Sequence, residues 1–405
     1  MVLGSRAALA PILLICYAIT LALHVGSIAL STLLPFRMVE VGGSGTQIGL
    51  LFSVMTVVSM VLRPGIGSWV DRLGARRVLI PGVLALAFTS LALQLAATPG
   101  ALIALMVGLG LANALISTPV SVVTATATAP AHRGEALGTY YLASSIGIAL
   151  APPFAFGLHA LGGMSLAFAA VTVVAALIAW LVTRVRASGS PPAESAAPRW
   201  RLVSAGALPV SGALVLATLG HSSFYAFLPL YAVSRGRGAA LAWFFGVYPL
   251  WIIACRVLWR GVADRVNRMH VAVAAMALQA VAYLILALPP APLSLVLAAV
   301  ILATGSAVLY PTLAALVVDR ADESERGLAL GTLSGSWDLG VVIGSALTGV
   351  VVDRLSYGAG FVLAALGAAL GTLALAVIEI RRRSKGSVVE RFQAPASPAR
   401  PGSGE

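Results

Sequence analysis

Gly67-Ser68-Trp69-Val70-Asp71-Arg72-Leu73-Gly74-Ala75-Arg76-Arg77 is a short charged hairpin set between two long apolar runs. That setting reads as a tight cytoplasmic loop joining two membrane-spanning helices. Gly74 permits the turn, because it carries no Cβ to clash in a left-handed backbone conformation. Arg72, Arg76 and Arg77 hold the loop on the cytoplasmic side. Asp71 is placed to accept hydrogen bonds from those arginines, or from the free N–H groups at a neighbouring helix start.

The rest of the chain supplies the same surroundings many times over. Its 405 residues are 59% hydrophobic and 10% charged, where a soluble domain carries about 25% charged residues. The apolar excess falls in runs of about 20 residues or more, the length a helix needs to cross a ~30 Å hydrocarbon layer. A polytopic, all-α membrane protein follows. The net charge of +12 does not imply nucleic acid, because the basic residues sit in alternate loops, as a membrane topology requires. The two cysteines, Cys16 and Cys255, lie inside apolar runs and read as small core residues rather than a disulfide or metal framework. The first apolar run is too long for a signal-peptide core and reads as the first span.

The hairpin has a weaker copy. Arg63 precedes Asp71 as Arg256 precedes Asp264, and Asp264-Arg265 repeats Asp71-Arg72 at an offset of 193 residues (264 − 71). Arg133-Gly134 and Arg326-Gly327 share that offset, while Leu34-Pro35 against Leu228-Pro229 gives 194 and Pro119 against Pro311 gives 192. Anchors in one order at one spacing mean two similar halves in tandem. Twelve spans are expected, at about 8–34, 47–70, 78–98, 101–128, 134–159 and 163–183, then 206–232, 241–263, 270–288, 293–318, 327–352 and 357–379. The expected domains are a six-helix bundle over 1–183, a cytoplasmic linker over 184–203, a second bundle over 204–380 and a disordered cytoplasmic tail over 381–405. With the N-terminus inside, the cytoplasmic segments hold 20 Lys and Arg and the outer loops hold four, Arg37, Arg235, Arg237 and Arg354. That asymmetry places both termini in the cytoplasm.

Twelve spans in two similar halves, with Gly-x-x-x-Asp-Arg-x-Gly-x-Arg-Arg after the second, resemble the major facilitator superfamily over about residues 8–380. The resemblance implies two pseudo-symmetric six-helix bundles around a midplane cavity, rocking to give alternating access. It implies that Gly67, Asp71, Arg72, Gly74, Arg76 and Arg77 form a gate motif, with Asp71 and Arg72 latching the second span to the eleventh when the protein opens outward. Arg256, Asp264 and Arg265 are the matching gate of the second half. The nearest likeness is to the 12-span drug and metabolite efflux branch of proton antiporters. Gly138, Gly147 and Pro152 match that branch's fifth-span pattern, whereas Ala151, Ala155 and Phe156 replace its glycines and Met106 stands where its fourth span has arginine.

Ionisable groups inside the spans are costly and so are functional candidates. Asp338 lies twelve residues beyond Arg326, about 18 Å along the helix and hence near mid-membrane. Its counterpart in the first half is Ser145 (338 − 193), so the charge breaks the symmetry. Asp338 reads either as the proton-coupling carboxylate or as half of an ion pair with Arg63 or Arg256. Arg63 and Arg256 themselves read as snorkelling residues with a carbonyl or acidic partner, or as gate residues. His24, Asn113, His221, Tyr225 and Tyr310 are the substrate-cavity candidates; a lone histidine of this kind is more often a packing residue. Glycines recur along the fifth and eleventh spans, for close packing or for sliding between moving halves. No phosphate-binding loop, nucleophile with its base, nucleotide fingerprint or metal-ligand spacing is present in the sequence.

The expected protein is therefore a transporter and not an enzyme, with no cofactor. Its expected partners are a small-molecule substrate, protons and the lipid bilayer, with no nucleic acid, and it is expected to be a monomer in the bacterial inner membrane. The function expected is proton-coupled efflux of small amphipathic or drug-like molecules. Proton-coupled uptake or facilitated diffusion of a sugar or other metabolite is the alternative, and a transport-inactive sensor or scaffold a more remote one.

Overall fold

The computed structural model describes residues 11–129, 132–185, 203–258, 266–322 and 325–393. Five helices make the first half: α1 (Pro11–Glu40), α2 (Gly45–Leu73), α3 (Ala75–Leu95), α4 (Pro99–Thr126) and α5 (Arg133–Arg184). The second half begins with three short helices, α6 (Leu208–Thr218), α7 (His221–Ala226) and α8 (Leu228–Ser234), then α9 (Leu241–Leu258), α10 (Arg268–Ala287), α11 (Pro292–Arg320), α12 (Arg326–Arg354) and α13 (Tyr357–Gln393). No strand occurs among the described residues.

Among the described residues ten helices are long and apolar enough to cross a membrane, and the bent α6–α8 unit makes eleven. The twelfth is hidden in α5, which at 52 residues is two helices joined where Gly162 and Gly163 leave helical geometry. The chain doubles back there. Gly147 on the first limb packs on Leu21 and His24 of α1, and Gly26 of the same helix packs on Val171 and Val174 of the second limb. A straight helix would hold positions 147 and 171 about 36 Å apart. Gly163, at φ 70°, supplies the left-handed residue for the reversal.

The structure departs from the expected seventh span, a single helix over 206–232. It breaks after Thr218 and again at Phe227, and bends by 47°. Gly220 abuts the Tyr283 ring and Ala364, and Pro229 lacks the N–H that an unbroken helix would use. The expected disordered tail also differs. α13 continues to Gln393, while 394–405 lie outside the described residues, as does most of the expected linker.

The internal repeat is visible in the packing. Gly147 meets Leu21 and His24, and Gly340 meets Val215 and Thr218. Gly26 meets Val171, and Gly220 meets Ala364. These are the same contacts shifted by one repeat, and they show that the position equivalent to His24 is Thr218. His221 sits one turn further along its helix.

Among the described residues the apolar cores of the two halves merge at one end. α2 and α12 cross so closely that Gly49 lies against the Ser345 carbonyl and Gly349 against Gly45, the small-residue packing by which transmembrane helices approach. At this end the first half's apolar core takes in Ala226, Phe227 and Leu230 of the second half, with Val352 and Tyr357 packed on it. Phe156 bridges Phe36 and Phe245 at ring distances of 6.1 and 6.3 Å. At the end bearing Asp71 the cores are separate. Ile66, Val70, Ala75 and Val78 cluster within the first half, and Val210, Met269, Leu313 and Ala329 within the second. The glycines agree: Gly327, Gly331 and Gly335 on α12 and Gly134 and Gly138 on α5 face open space, whereas Gly340, Gly344 and Gly349 are packed. A cleft between the halves thus opens toward the Asp71 end.

Candidate functional site

Asp338 belongs to the buried face of α12, with 7% of its surface exposed. It reaches across to the other half, where Arg63 Nη1 of α2 donates to its Oδ2 at 2.5 Å. The carboxylate is sheltered and the guanidinium less so, at 11% and 40% side-chain exposure. Of the two arginines expected as partners, the fold selects Arg63, because α2 packs on α12 while α9 packs on α5.

Arg256 makes the corresponding contact one repeat away. Its Nη1 donates to Ser145 Oγ of α5 at 2.5 Å. Ser145 is the counterpart of Asp338, so one geometry occurs twice, once with a carboxylate and once with a hydroxyl. Asp264 and Arg265, the rest of the second-half gate, lie outside the described residues.

The cavity candidates separate into two groups. His24 is tied within the first half: Nδ1 lies 2.7 Å from the Thr20 carbonyl, which accepts only, so Nδ1 carries the proton. Its Nε2 then accepts from Ser144 Oγ at 2.9 Å. With both nitrogens satisfied, His24 fastens α1 to α5. Asn113 Nδ2 donates to the Leu109 carbonyl of its own helix at 3.0 Å. His221 is different. Its ring lies 4.8 Å from Trp337 and 6.1 Å from Tyr225, and Trp337 in turn is 5.6 Å from Tyr310. These four half-buried side chains bring α7, α11 and α12 together beside Asp338. The serines next to the histidines do not line the cleft: Ser27, Ser31, Ser222 and Ser223 are all buried, and Ser223 shares a 2.9 Å hydrogen bond with Thr348.

The hairpin forms the predicted turn. Gly74, at φ 82°, ends α2, and its N–H donates to the Val70 carbonyl at 2.9 Å. Asp71, Arg72 and Arg77 are exposed, and Arg76 is half-buried. The expected bonds from Asp71 to its own arginines or to a helix start are not formed among the described residues. Asp71 stands at the exposed end of α2, where its carboxylate is left to solvent.

Sequence reasoning missed Asp353. This acid at the end of α12 accepts from Gly45 N at 2.6 Å, Thr46 N at 2.7 Å and Thr46 Oγ1 at 2.6 Å. It caps α2 from the other half, while Ser44 and Gln47 close a capping box on the same terminus from within. The available signal was Ser44-Gly45-Thr46-Gln47, an N-terminal cap in an expected outer loop, and an acid at the same expected face, at the end of the helix expected to face α2.

Comparison with known proteins agrees with this architecture. The family model described as Major Facilitator Superfamily matches residues 15–259 and 210–402. An uncharacterized MFS-type transporter of Burkholderia mallei (strain SAVP1) is 26% identical over 383 residues, 92% of this chain and 91% of that protein. The staphylopine export protein of Staphylococcus aureus (strain Mu50 / ATCC 700699) is 23% identical over 361 residues, 84% of this chain and 89% of that protein. Among solved structures, a mutant of the nucleoside transporter NupG superposes with a TM-score of 0.75 at 14% identity, over 90% of this chain and 99% of that one. A mutant of the peptide transporter POT in complex with sulfate gives 0.77 at 16% identity, over 91% and 94%. Two family matches that between them run from residue 15 to residue 402, on a fold of two repeated bundles, mean that this chain is a multi-pass membrane transporter of the Major Facilitator Superfamily.

Proposed function

We propose that this transporter couples proton movement to the efflux of small amphipathic molecules by alternating access, in the bacterial inner membrane with both termini cytoplasmic. The observation that carries the reading is the Arg63–Asp338 ion pair, which joins the two halves partway along α2 and α12. Rocking the halves must stretch or break this pair. Separating two charges within the membrane is costly, and protonating Asp338 removes the carboxylate's share of that cost. The proton is then the natural agent for releasing α2 from α12. The basic residues gathered at the Asp71 end support placing it in the cytoplasm, and on that reading the cleft opens inward. An export protein among the relatives supports the outward direction.

The test is proteoliposomes holding the full chain, an imposed pH gradient, and fluorescent amphipathic solutes inside or out. The proposal expects solute flux to follow the gradient and to collapse with a protonophore. Flux indifferent to the gradient would leave a facilitator instead.

The hairpin has its role in the other state. Asp71 is unbonded in the inward-open form, so Asp71→Asn should leave the thermal midpoint of that form unchanged. It should slow turnover several-fold by removing a charge-assisted contact with the α12 terminus that forms on outward opening. Stopped-flow transport of wild type and variant checks this; equal turnover removes the gate role.

A further inference from the structure

Arg63 and Arg256 occupy equivalent positions and touch equivalent partners, Asp338 and Ser145. One cation is neutralised. The other has no ion pair among the described residues and is exposed. Its guanidinium reaches across to the opposite half, where it meets Ser145. Ser145 orients the arginine without discharging it: its own hydroxyl proton goes to the Tyr141 carbonyl at 2.8 Å, and its oxygen accepts from Arg256. A guanidinium carries five N–H donors in a planar fork, and this contact uses one. The Nε–Nη2 edge has the geometry that a carboxylate accepts in bidentate fashion.

The surroundings define the rest of the ligand. From Tyr248, two turns before Arg256 on α9, ring contacts run through Phe224 at 5.1 Å, His221 at 5.7 Å, Trp337 at 4.8 Å and Tyr310 at 5.6 Å. The half-buried rings of this series, His221, Trp337 and Tyr310, offer an apolar wall to a ligand body, with the Arg256 guanidinium beyond it.

We propose that Arg256, held by Ser145, is an anion subsite of the cleft and takes the carboxylate of an amphipathic monocarboxylic acid. The inference rests on the transporter reading and narrows its substrate class. A carboxylate bound there would complete the second ion pair across the halves, so the substrate itself supplies the charge that Asp338 supplies on the symmetric side.

The experiment uses the full chain in lipid nanodiscs and a matched pair of probes, 3-phenylpropionate and its uncharged amide, titrated by tryptophan fluorescence. Wild type should bind the carboxylate at least ~10-fold more tightly than the amide, the scale of one charge-assisted contact. Arg256→Gln should erase the preference. Ser145→Asp should erase it too, by rebuilding the ion pair found at Arg63, and it keeps the arginine in place should Arg256→Gln fold poorly. Arg256→Lys should retain part of it, since a point charge replaces the fork. A wild type that binds both probes alike, or neither, overturns the subsite, as does a preference that survives both Arg256→Gln and Ser145→Asp. A preference without gradient-driven flux in proteoliposomes would instead overturn the transport reading and leave the subsite standing.

Discussion

Asp338→Asn is expected to abolish gradient-driven transport while the protein still folds and inserts. The carboxylate is buried in α12 and bound to Arg63 of the opposite half, so the variant removes the proton-accepting group of that ion pair. Removing one partner of a buried pair costs about 3–5 kcal/mol. Arg63 is 40% exposed at its side chain, so solvent recovers much of that and a loss of about 1–2 kcal/mol is expected. A second variant separates coupling from packing. Arg63→Gln combined with Asp338→Asn leaves no orphaned charge and should regain the lost stability, read as the thermal midpoint in detergent. If Asp338 carries the proton, transport by the double variant stays at background, at least ~100-fold below wild type. If the pair is only a strut, the double variant transports normally, and the coupling role is lost.

Asp353→Asn should shift the resting population away from the form in which α2 and α12 meet at the Asp353 end. The carboxylate accepts three hydrogen bonds from the first residues of α2, two from backbone N–H groups and one from a hydroxyl. It also carries negative charge to the positive end of that helix dipole. The residue is exposed, so the lower end of charge-assisted bonding applies, about 1–2 kcal/mol, or roughly 5–30-fold in population. The measurement is labelling of a cysteine at Ser53, which is buried and bonded to Ser345 and Val342 across the same contact. A background without Cys16 and Cys255, and an impermeant reagent applied from the outer face, complete the design. Labelling should rise by that factor in the Asp353→Asn background. An unchanged rate would mean that the glycine packing holds the halves together without the cap.

Both predictions concern contacts between halves, and these were the least legible part of the sequence. A span is a local property: about 20 apolar residues must form a helix because the bilayer offers no water to the backbone. The run lengths therefore determined the crossings, including the two that merge in α5, where the reversal at Gly162 and Gly163 falls at the start of the expected sixth span. The anchors at one offset needed no structure either, so the duplication was readable too. The break in α6–α8 was not. It depends on Gly220 meeting Tyr283 and Ala364, a neighbour more than sixty residues away.

The same limit governs the site. The sequence determined that Asp338 is the symmetry-breaking charge and that two arginines stood equally placed to meet it, because offsets along a chain treat both alike. Only the tertiary structure decided between them, by laying α2 rather than α9 against α12. It also decided that His24 is a fastening while His221 joins Trp337 and Tyr310, although both stand on equivalent helices. Asp353 shows the physical reason most plainly: its worth lies in three donors some 307 residues away in the chain, and a hydrogen bond answers to distance and direction in space, which helix packing sets and sequence order does not.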